Sequence, residues 1–233
     1  MLIDTRDSYG IDVLLRGKIE TPEDEFIKKI LKPENVVLDI GAHWGGFSLL
    51  FAHIVGEKGK VYSFEPDPSN YQILLKNIKL NGFQSIVKPQ NVAVGDKDSY
   101  VELGIANTSS GHNSLLRKDI PIKKKIKVRQ IKLDKHLPNT KVDFIKIDVE
   151  GYEYFVLKGL ETTIQKNNLW LFIEFSPKFM GKELTERMVK FLKKYFQEIY
   201  IAHKRKVFKT NWEQVLQITY DYGQRNLFLR KVI

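Results

Sequence analysis

Asn35–Gly46 reads NVVLDIGAHWGG, a short apolar run that ends in a glycine-containing turn. Such a run, bounded by a turn, is typical of a strand that is buried on both faces of a sheet. The same pattern recurs at Lys60–Glu65 (KVYSFE), Val142–Asp148 (VDFIKID) and Leu169–Phe175 (LWLFIEF). The sequence therefore predicts a set of buried strands that each end in polar or glycine residues.

Helices are predicted between these strands. Thr21 is a suitable N-cap and Pro22 a suitable first-turn residue, which predicts a helix over 22–31. Further helical segments are predicted at 46–55, 68–80, 152–166 and 183–195. Alternation of strands with helices predicts the α/β class, with a mostly parallel sheet covered by helices on both faces.

Other segments extend this pattern. A third strand is predicted at 86–94, and Tyr100–Ala106 and Lys124–Leu133 alternate like half-exposed strands, which predicts a small antiparallel β-hairpin insertion over 99–133. The C-terminal part predicts two or three short strands, near 197–203, 205–209 and 226–231. We expect a sheet of seven strands in one domain, 1–233, with an N-terminal helical extension at 1–33.

The composition is that of a globular protein, with 42% hydrophobic and 28% charged residues. There is no apolar run that is long enough to cross a bilayer and no signal-peptide pattern, so a cytoplasmic protein is the expectation. The absence of cysteine excludes disulfides, thiolate zinc sites and a cysteine nucleophile.

The net charge of +10 would suit nucleic acid, an anionic glycan or a lipid headgroup as a partner. However, only eight of the 38 basic residues are arginine, the residue best suited to bidentate phosphate and base contacts. The charge therefore favours a solvated lysine surface and leaves nucleic-acid binding as an alternative.

Ligands of open α/β sheets bind outside the carboxyl ends of the strands. Asp39–Gly46 has the spacing GxxxGG rather than the GxGxxG of dinucleotide sites, which argues against a pyrophosphate ligand. Glu65 ends the next strand, 24 residues after Gly41, where an acidic side chain can accept hydrogen bonds from both ribose hydroxyls. Together these features favour an adenosyl ligand.

Four segments, DIGAHWGGFS, FEPDPSNYQILLKNIKLN, NVAVGD and FIKIDVEGYEYFVLKGL, resemble the FkbM family of S-adenosylmethionine-dependent methyltransferases. The resemblance covers roughly residues 34–175, and IKIDVEGYE is its most specific part. It implies a Rossmann-like class I methyltransferase fold and S-adenosylmethionine as the cofactor. Family members typically carry asparagine where this chain has His43.

The resemblance also implies positions for the cofactor. The methionine part would face Asp39 and Gly41, the ribose Glu65, and the transferred methyl group Asp148. The predicted cofactor-binding residues are Asp39, Gly41, Ala42, His43, Glu65, Pro66, Asn91, Ala93 and Asp148.

Methylation of a hydroxyl group needs a base to take the proton. Asp148, Glu150 and Glu174 are the candidate catalytic residues, and Asp148 and Glu174 should lie close together because their strands are neighbours in this fold. Two close carboxylates raise the pKa of one of them, which suits a base, or they can hold Mg²⁺. No complete metal site is evident in the sequence. Glu153 is expected on a helix surface.

The histidines are weaker candidates. His43 lies in the glycine loop, where it can contact cofactor or acceptor, and His112 lies in the inserted hairpin, where an acceptor loop is expected. His136 is interpreted as a loop residue.

The leading hypothesis is methylation of a hydroxyl group on a sugar, a glycan or a natural product. The alternatives are an RNA methyltransferase that uses the basic surface, a non-catalytic nucleotide-binding protein, and an NAD-dependent dehydrogenase, which the missing GxGxxG disfavours.

We expect the protein to bind S-adenosylmethionine and S-adenosylhomocysteine but not NAD, because the loop lacks the pyrophosphate fingerprint. Glu65→Ala should weaken binding of the adenosyl compounds by about 1–3 kcal/mol, the cost of unpaired ribose hydroxyls. Calorimetry tests both points, and binding of NAD without heat from either adenosyl compound would contradict this interpretation.

Overall fold

The computed structural model describes residues 1–5, 7, 11, 21–107, 109–117 and 119–232. Its helices and strands, in chain order, are α1 (Pro22–Ile30), β1 (Val36–Ile40), α2 (Gly46–Val55), β2 (Lys60–Phe64), α3 (Pro68–Leu80), β3 (Val87–Gln90), β4 (Ala93–Val94), β5 (Ser99–Ala106), a 3-10 turn (Ser110–His112), β6 (Ile122–Ile131), α4 (Leu133–His136), β7 (Phe144–Ile147), α5 (Glu153–Gly159), α6 (Glu161–Lys166), β8 (Leu169–Phe175), α7 (Pro177–Tyr195), β9 (Glu198–His203), β10 (Lys206–Thr210), α8 (Trp212–Tyr222) and β11 (Arg225–Lys231).

Eight strands form the main sheet, in the order β10-β9-β11-β8-β7-β1-β2-β3. The strands from β8 to β3 are parallel neighbours, whereas β11 is antiparallel to both β8 and β9, and β10 is antiparallel to β9. The chain moves from β1 outwards to β3 and later returns to the other side of β1 as β7. The strand order therefore reverses between β1 and β7, which is where such sheets bind ligands.

Helices cover both faces of the sheet, as predicted. Consecutive residues of β1 point to opposite layers: Val37 packs in one apolar cluster with α1, α2 and α3, and Leu38 packs in another with α5 to α8. This alternation follows from the two-residue period of a strand. A separate three-stranded sheet, in the order β4-β6-β5, contains the predicted antiparallel hairpin.

The predicted count of seven strands was wrong by one. β10 joins the sheet through a two-residue turn in which both residues, Lys204 and Arg205, have positive φ (48° and 61°). This backbone matches the right-handed twist of a hairpin but is usually formed by Asn-Gly or similar pairs. The predicted strand at 86–94 is split between the two sheets, as β3 and β4.

Two predicted helices also differ in detail. The segment 152–166 forms two short helices, α5 and α6, and α7 begins at Pro177 with a break at Gly181. The start of α1 is as predicted, with the Thr21 side chain accepting from the Asp24 backbone N–H. Of the predicted extension at 1–33, residues 6, 8–10 and 12–20 lie outside the described part.

No helix within the described ranges is both long and apolar enough to span a membrane.

Gly41 makes the closest approach between the ends of β1 and β7. Its φ is +80°, and a Cβ atom on it would lie 1.8 Å from the carbonyl oxygen of Asp148. We expect Gly41→Ala to lower the free energy of unfolding by more than about 3 kcal/mol, because both the backbone strain and the clash must be relieved.

Gly56→Ala is the matched control, since Gly56 also has positive φ (+67°) but has open space around it. Urea denaturation should show a smaller loss for this variant, about 1–3 kcal/mol, from backbone strain alone. Equal losses in the two variants would mean that the contact with Asp148 does not constrain the fold.

Candidate functional site

A cavity of about 290 Å³ opens at the carboxyl ends of the parallel strands, where the strand order reverses. Its walls come from the loops after β1, β2 and β7, from the end of β8 and from the segment between β5 and β6. Its size is near the lower end of the range for small-molecule sites. Several strands thus direct their terminal residues into one enclosed space.

Glu65 is held rigidly at one end of this cavity. Its two carboxylate oxygens accept hydrogen bonds from the backbone N–H groups of His43 (2.8 Å) and Asp67 (2.9 Å). Burial raises the pKa of Glu65 to about 7. Each oxygen of a carboxylate has two acceptor positions, so the fixed side chain can still accept from two ligand hydroxyls.

Lys146 is a buried lysine in β7 that links the two sides of the site. Its Nζ donates to the carbonyl oxygen of Gly41 (2.8 Å) and lies 3.5 Å from carboxylate oxygens of both Asp39 and Asp148. Burial acts to lower the pKa of Lys146, but the charges of Asp148 and Asp39 outweigh it and raise the pKa above its usual range. The lysine is therefore a permanent cation in the lining of the cavity.

Three carboxylates meet at the opposite end of the cavity. Asp148, Glu150 and Glu174 each offer an oxygen, and these atoms all lie within 4.8 Å of one another. Burial, together with the charge of Asp148, raises the pKa of Glu150 to about 7 and that of Glu174 to about 9. Glu174 therefore holds a proton at neutral pH.

Neighbouring donors balance part of this charge. Arg117 donates from Nη1 to Glu150 (2.5 Å), and Gln224 donates to Oε1 of Glu174 (2.9 Å). The same three carboxylates could instead hold a divalent cation, which prefers oxygen ligands. Bound protons and a bound cation are thus alternative ways to neutralise the negative charge of the three carboxylates.

Glu153 is fully buried, so its predicted position on a helix surface was wrong. Its Oε1 accepts from the backbone N–H groups of Val149 (3.2 Å) and Gly151 (3.0 Å), which fixes the turn that presents Asp148 and Glu150. Burial raises the pKa of Glu153 to about 7. The carboxylate acts as a cap for this turn.

The segment 109–113 covers the cavity. The ring Nε2 of His43 lies 2.7 Å from the hydroxyl of Ser110, and the Asn113 side chain donates to Asp67 (2.7 Å). Burial lowers the pKa of His43 to about 4, so the ring is neutral at physiological pH. These two bonds join the covering segment to the loops that follow β1 and β2.

The sequence model of the family described as the methyltransferase FkbM domain matches residues 39–199 of this chain. The chain belongs to the FkbM methyltransferase family. It is an S-adenosylmethionine-dependent methyltransferase, as the resemblance of its motifs implied. A search of curated proteins finds no match.

Solved structures share the fold. An FkbM methyltransferase from Methylobacillus flagellatus is 18% identical, with a TM-score of 0.55, and the alignment covers 88% of this chain and 50% of that one. A candidate rRNA-methylase from Clostridium thermocellum is 14% identical, with a TM-score of 0.58 and coverage of 93% and 98%. SMU.1697c from Streptococcus mutans, solved with S-adenosylhomocysteine, is 9% identical, with a TM-score of 0.53 and coverage of 92% and 100%. They support the predicted class I methyltransferase fold.

Most of the site residues predicted from the sequence line the cavity. They are Gly41, Ala42, His43, Glu65, Pro66, Ala93, Asp148, Glu150 and Glu174. Asp39 lies beneath the floor, fully buried, and accepts from the Ser48 hydroxyl (2.6 Å). Asn91 is outside the lining and donates to the carbonyl oxygens of Glu65 and Pro66.

The two other histidines that the sequence analysis of this FkbM methyltransferase considered, His112 and His136, lie in different places. His112 lines the cavity as part of the covering segment. His136 is the last residue of α4, where its ring lies 3.2 Å from Asp98, away from the cavity lining.

Sequence reasoning missed Lys146, although a signal was present. A lysine in the middle of a strand that is otherwise apolar must find charged partners, because an unpaired buried charge is very costly. The two aspartates at the ends of β1 and β7 are those partners.

The residues present fit S-adenosylmethionine. Apolar side chains of Phe64, Val92 and Val94 line the cavity near Glu65 and suit a purine ring. Glu65 suits the ribose, and the carboxylates at the other end suit a positively charged sulfonium group. Asp39, Gly41 and Lys146 shape the floor between them.

The raised pKa of Glu174 has a consequence for stability. In the folded state this carboxyl keeps its proton up to about pH 9, whereas in the unfolded chain it loses the proton near its ordinary pKa of about 4.5. The contribution of this proton to the free energy of unfolding is therefore fully present below pH 4.5 and is lost as pH rises through 9. Glu174→Gln should therefore be more stable than the wild type at pH 8 by about 1–3 kcal/mol, with a smaller difference at pH 4.5.

Chemical denaturation across this pH range measures the effect. Glu186→Gln, at an exposed position of α7, is the control and should leave the pH profile of the wild type unchanged. A Glu174→Gln profile that runs parallel to that of the wild type would contradict the assigned protonation.

Proposed function

We propose that this FkbM methyltransferase methylates a hydroxyl group on a sugar, a glycan or a natural product. The observation that carries the proposal is the position of Asp148, whose side chain is 42% exposed where it lines the cavity beside Glu150 and Glu174. A hydroxyl group must lose its proton when it is methylated, and a carboxylate at that point can take it.

Bound S-adenosylmethionine supplies an electrophilic methyl group. A carboxylate oxygen of Asp148 would take the proton that the acceptor hydroxyl loses when its oxygen receives the methyl group. Lys146, 3.5 Å from that carboxylate, holds it in place beside the cavity. Glu174, which already holds a proton, can donate a hydrogen bond to the acceptor but cannot serve as the first base.

The insertion at 99–133 has a role in the same proposal. Ser109 to Leu115 line the cavity, so this part of the insertion would cover the acceptor and exclude water from the reaction. In our proposal the residues 1–233 act as a single methyltransferase domain, with the insertion as its acceptor-facing part.

The test uses Asp148→Asn, which keeps the shape of the side chain but removes the base. With labelled S-adenosylmethionine and an acceptor recovered from a cell extract, methyl transfer should fall by about 10²–10⁴-fold while S-adenosylhomocysteine still binds. Glu174→Gln is a control that keeps a neutral hydrogen-bond donor at that position: a comparable loss that does not add to the first would place both carboxylates in one unit.

Glu186→Gln is again the control and should transfer methyl groups normally. Normal turnover by Asp148→Asn would mean that the residue is structural. Activity that disappears with a chelator and returns with Mg²⁺ would instead identify the carboxylates as metal ligands.

A further inference from the structure

A second cavity, of about 350 Å³, lies at the same edge of the sheet as the first. β9 runs in the same direction as β8, because both are antiparallel to β11. His203 at the end of β9 and Glu174 near the end of β8 therefore lie on the same side of the sheet, where the parallel strands end. Arg225, the first residue of β11, is at this edge too. Glu174 lines both cavities.

The lining of this second cavity is rich in positive charge. Lys204, Arg205 and Arg225 all contribute to it, and none of the three forms an ion pair within the described part of the chain. Glu23 is the lining carboxylate besides Glu174, and its Oε1 accepts from the Asn226 side chain (3.0 Å). The cavity therefore carries a surplus of cations beside the proposed acceptor site.

Arg225 is held in place by its own neighbourhood. Its Nη1 donates to the carbonyl oxygens of Tyr222 (2.9 Å) and Gln224 (2.6 Å), and its guanidinium lies 5.6 Å from the Tyr222 ring. The rest of the guanidinium fork remains available to a ligand. A fixed fork of this kind suits an oxyanion.

The turn that carries the other two cations is unusual. Lys204 and Arg205 both have left-handed backbone, at a place where glycine or asparagine would be less strained. Non-glycine residues in such conformations cluster at ligand sites. The Lys204 ammonium also lies 5.8 Å from the Tyr222 ring, so the same ring contacts two of the three cations.

We infer that the acceptor is a small hydroxylated molecule that carries an acidic group, a phosphate, a sulfate or a carboxylate, and that Lys204, Arg205 and Arg225 bind this group. The inference rests on the proposed function and names the acceptor's chemical class. The acidic group lies in the second cavity, and the hydroxyl that is methylated reaches past Glu174 to Asp148.

Binding of inorganic phosphate tests the site without knowledge of the acceptor. The protein, saturated with S-adenosylhomocysteine, is titrated with phosphate at constant ionic strength, and binding is followed by ³¹P NMR. The double variant Lys204→Gln/Arg225→Gln should bind phosphate at least about tenfold more weakly than the wild type, since two charge-assisted hydrogen-bond donors are lost.

Lys76→Gln/Lys79→Gln is the matched control. It removes the same two charges from exposed positions on α3, a helix beside β3 at the far edge of the sheet. It should bind phosphate like the wild type. Equal affinities in all three proteins, or no phosphate binding by the wild type, would overturn the inference.

Methyl transfer to matched pairs of acceptors separates this inference from the proposed function. Each pair consists of a neutral sugar and the same sugar with a phosphate or a carboxylate, and labelled S-adenosylmethionine is the donor. We expect the charged member to be methylated on oxygen in preference, and the preference to disappear in Lys204→Gln/Arg225→Gln while affinity for S-adenosylhomocysteine is unchanged.

The failures are distinguishable. Equal O-methylation of neutral and charged sugars would overturn the inference and leave the proposed function standing. Methylation confined to nitrogen acceptors would overturn the proposed function, and phosphate binding would then report on the second cavity alone. Methyl transfer to an RNA oligonucleotide in preference to every sugar would overturn both.

Discussion

One buried ammonium group determines how the two halves of this sheet meet. Lys146 bridges Asp39 at β1 and Asp148 after β7 and also binds the carbonyl of Gly41 between them. Buried ion pairs contribute little net stability, but removal of one partner leaves an uncompensated charge in the core. The ammonium therefore links the loop after β1, the Asp148 turn and the cavity floor at the point where strand order reverses.

The protein as a whole is positively charged, whereas the candidate site is rich in acidic side chains. The protein carries a net charge of +10, yet four acidic side chains, Asp148, Glu150, Glu153 and Glu174, lie together at the carboxyl ends of β7 and β8. Burial and mutual repulsion raise the pKa values of the three glutamates. Such a cluster stabilises a positive charge nearby, which is what a sulfonium group presents, and the lysine-rich exterior is a separate feature.

Much of the fold and of the candidate site could be predicted from the sequence, because the buried strands are apolar runs that end in polar or glycine residues. The apolar runs fixed the class of fold, and the neighbouring strands that end near Asp148 and Glu174 predicted that these carboxylates meet, as they do. Both strands of the β9–β10 hairpin were predicted, near 197–203 and 205–209, but its left-handed turn was not, since the turn is formed by Lys204 and Arg205 and lacks glycine or asparagine. The burial of Glu153 was missed because its partners are backbone N–H groups of a turn, which have no sequence pattern of their own.

The covering segment has a kinetic consequence. Its bonds from Ser110 to His43 and from Asn113 to Asp67 hold it over the cavity that we propose for the cofactor. In the proposed function a spent cofactor leaves after these bonds break, and a single hydrogen bond contributes only about 0.5–3 kcal/mol. We therefore expect opening of the segment to contribute to the residence time of the by-product.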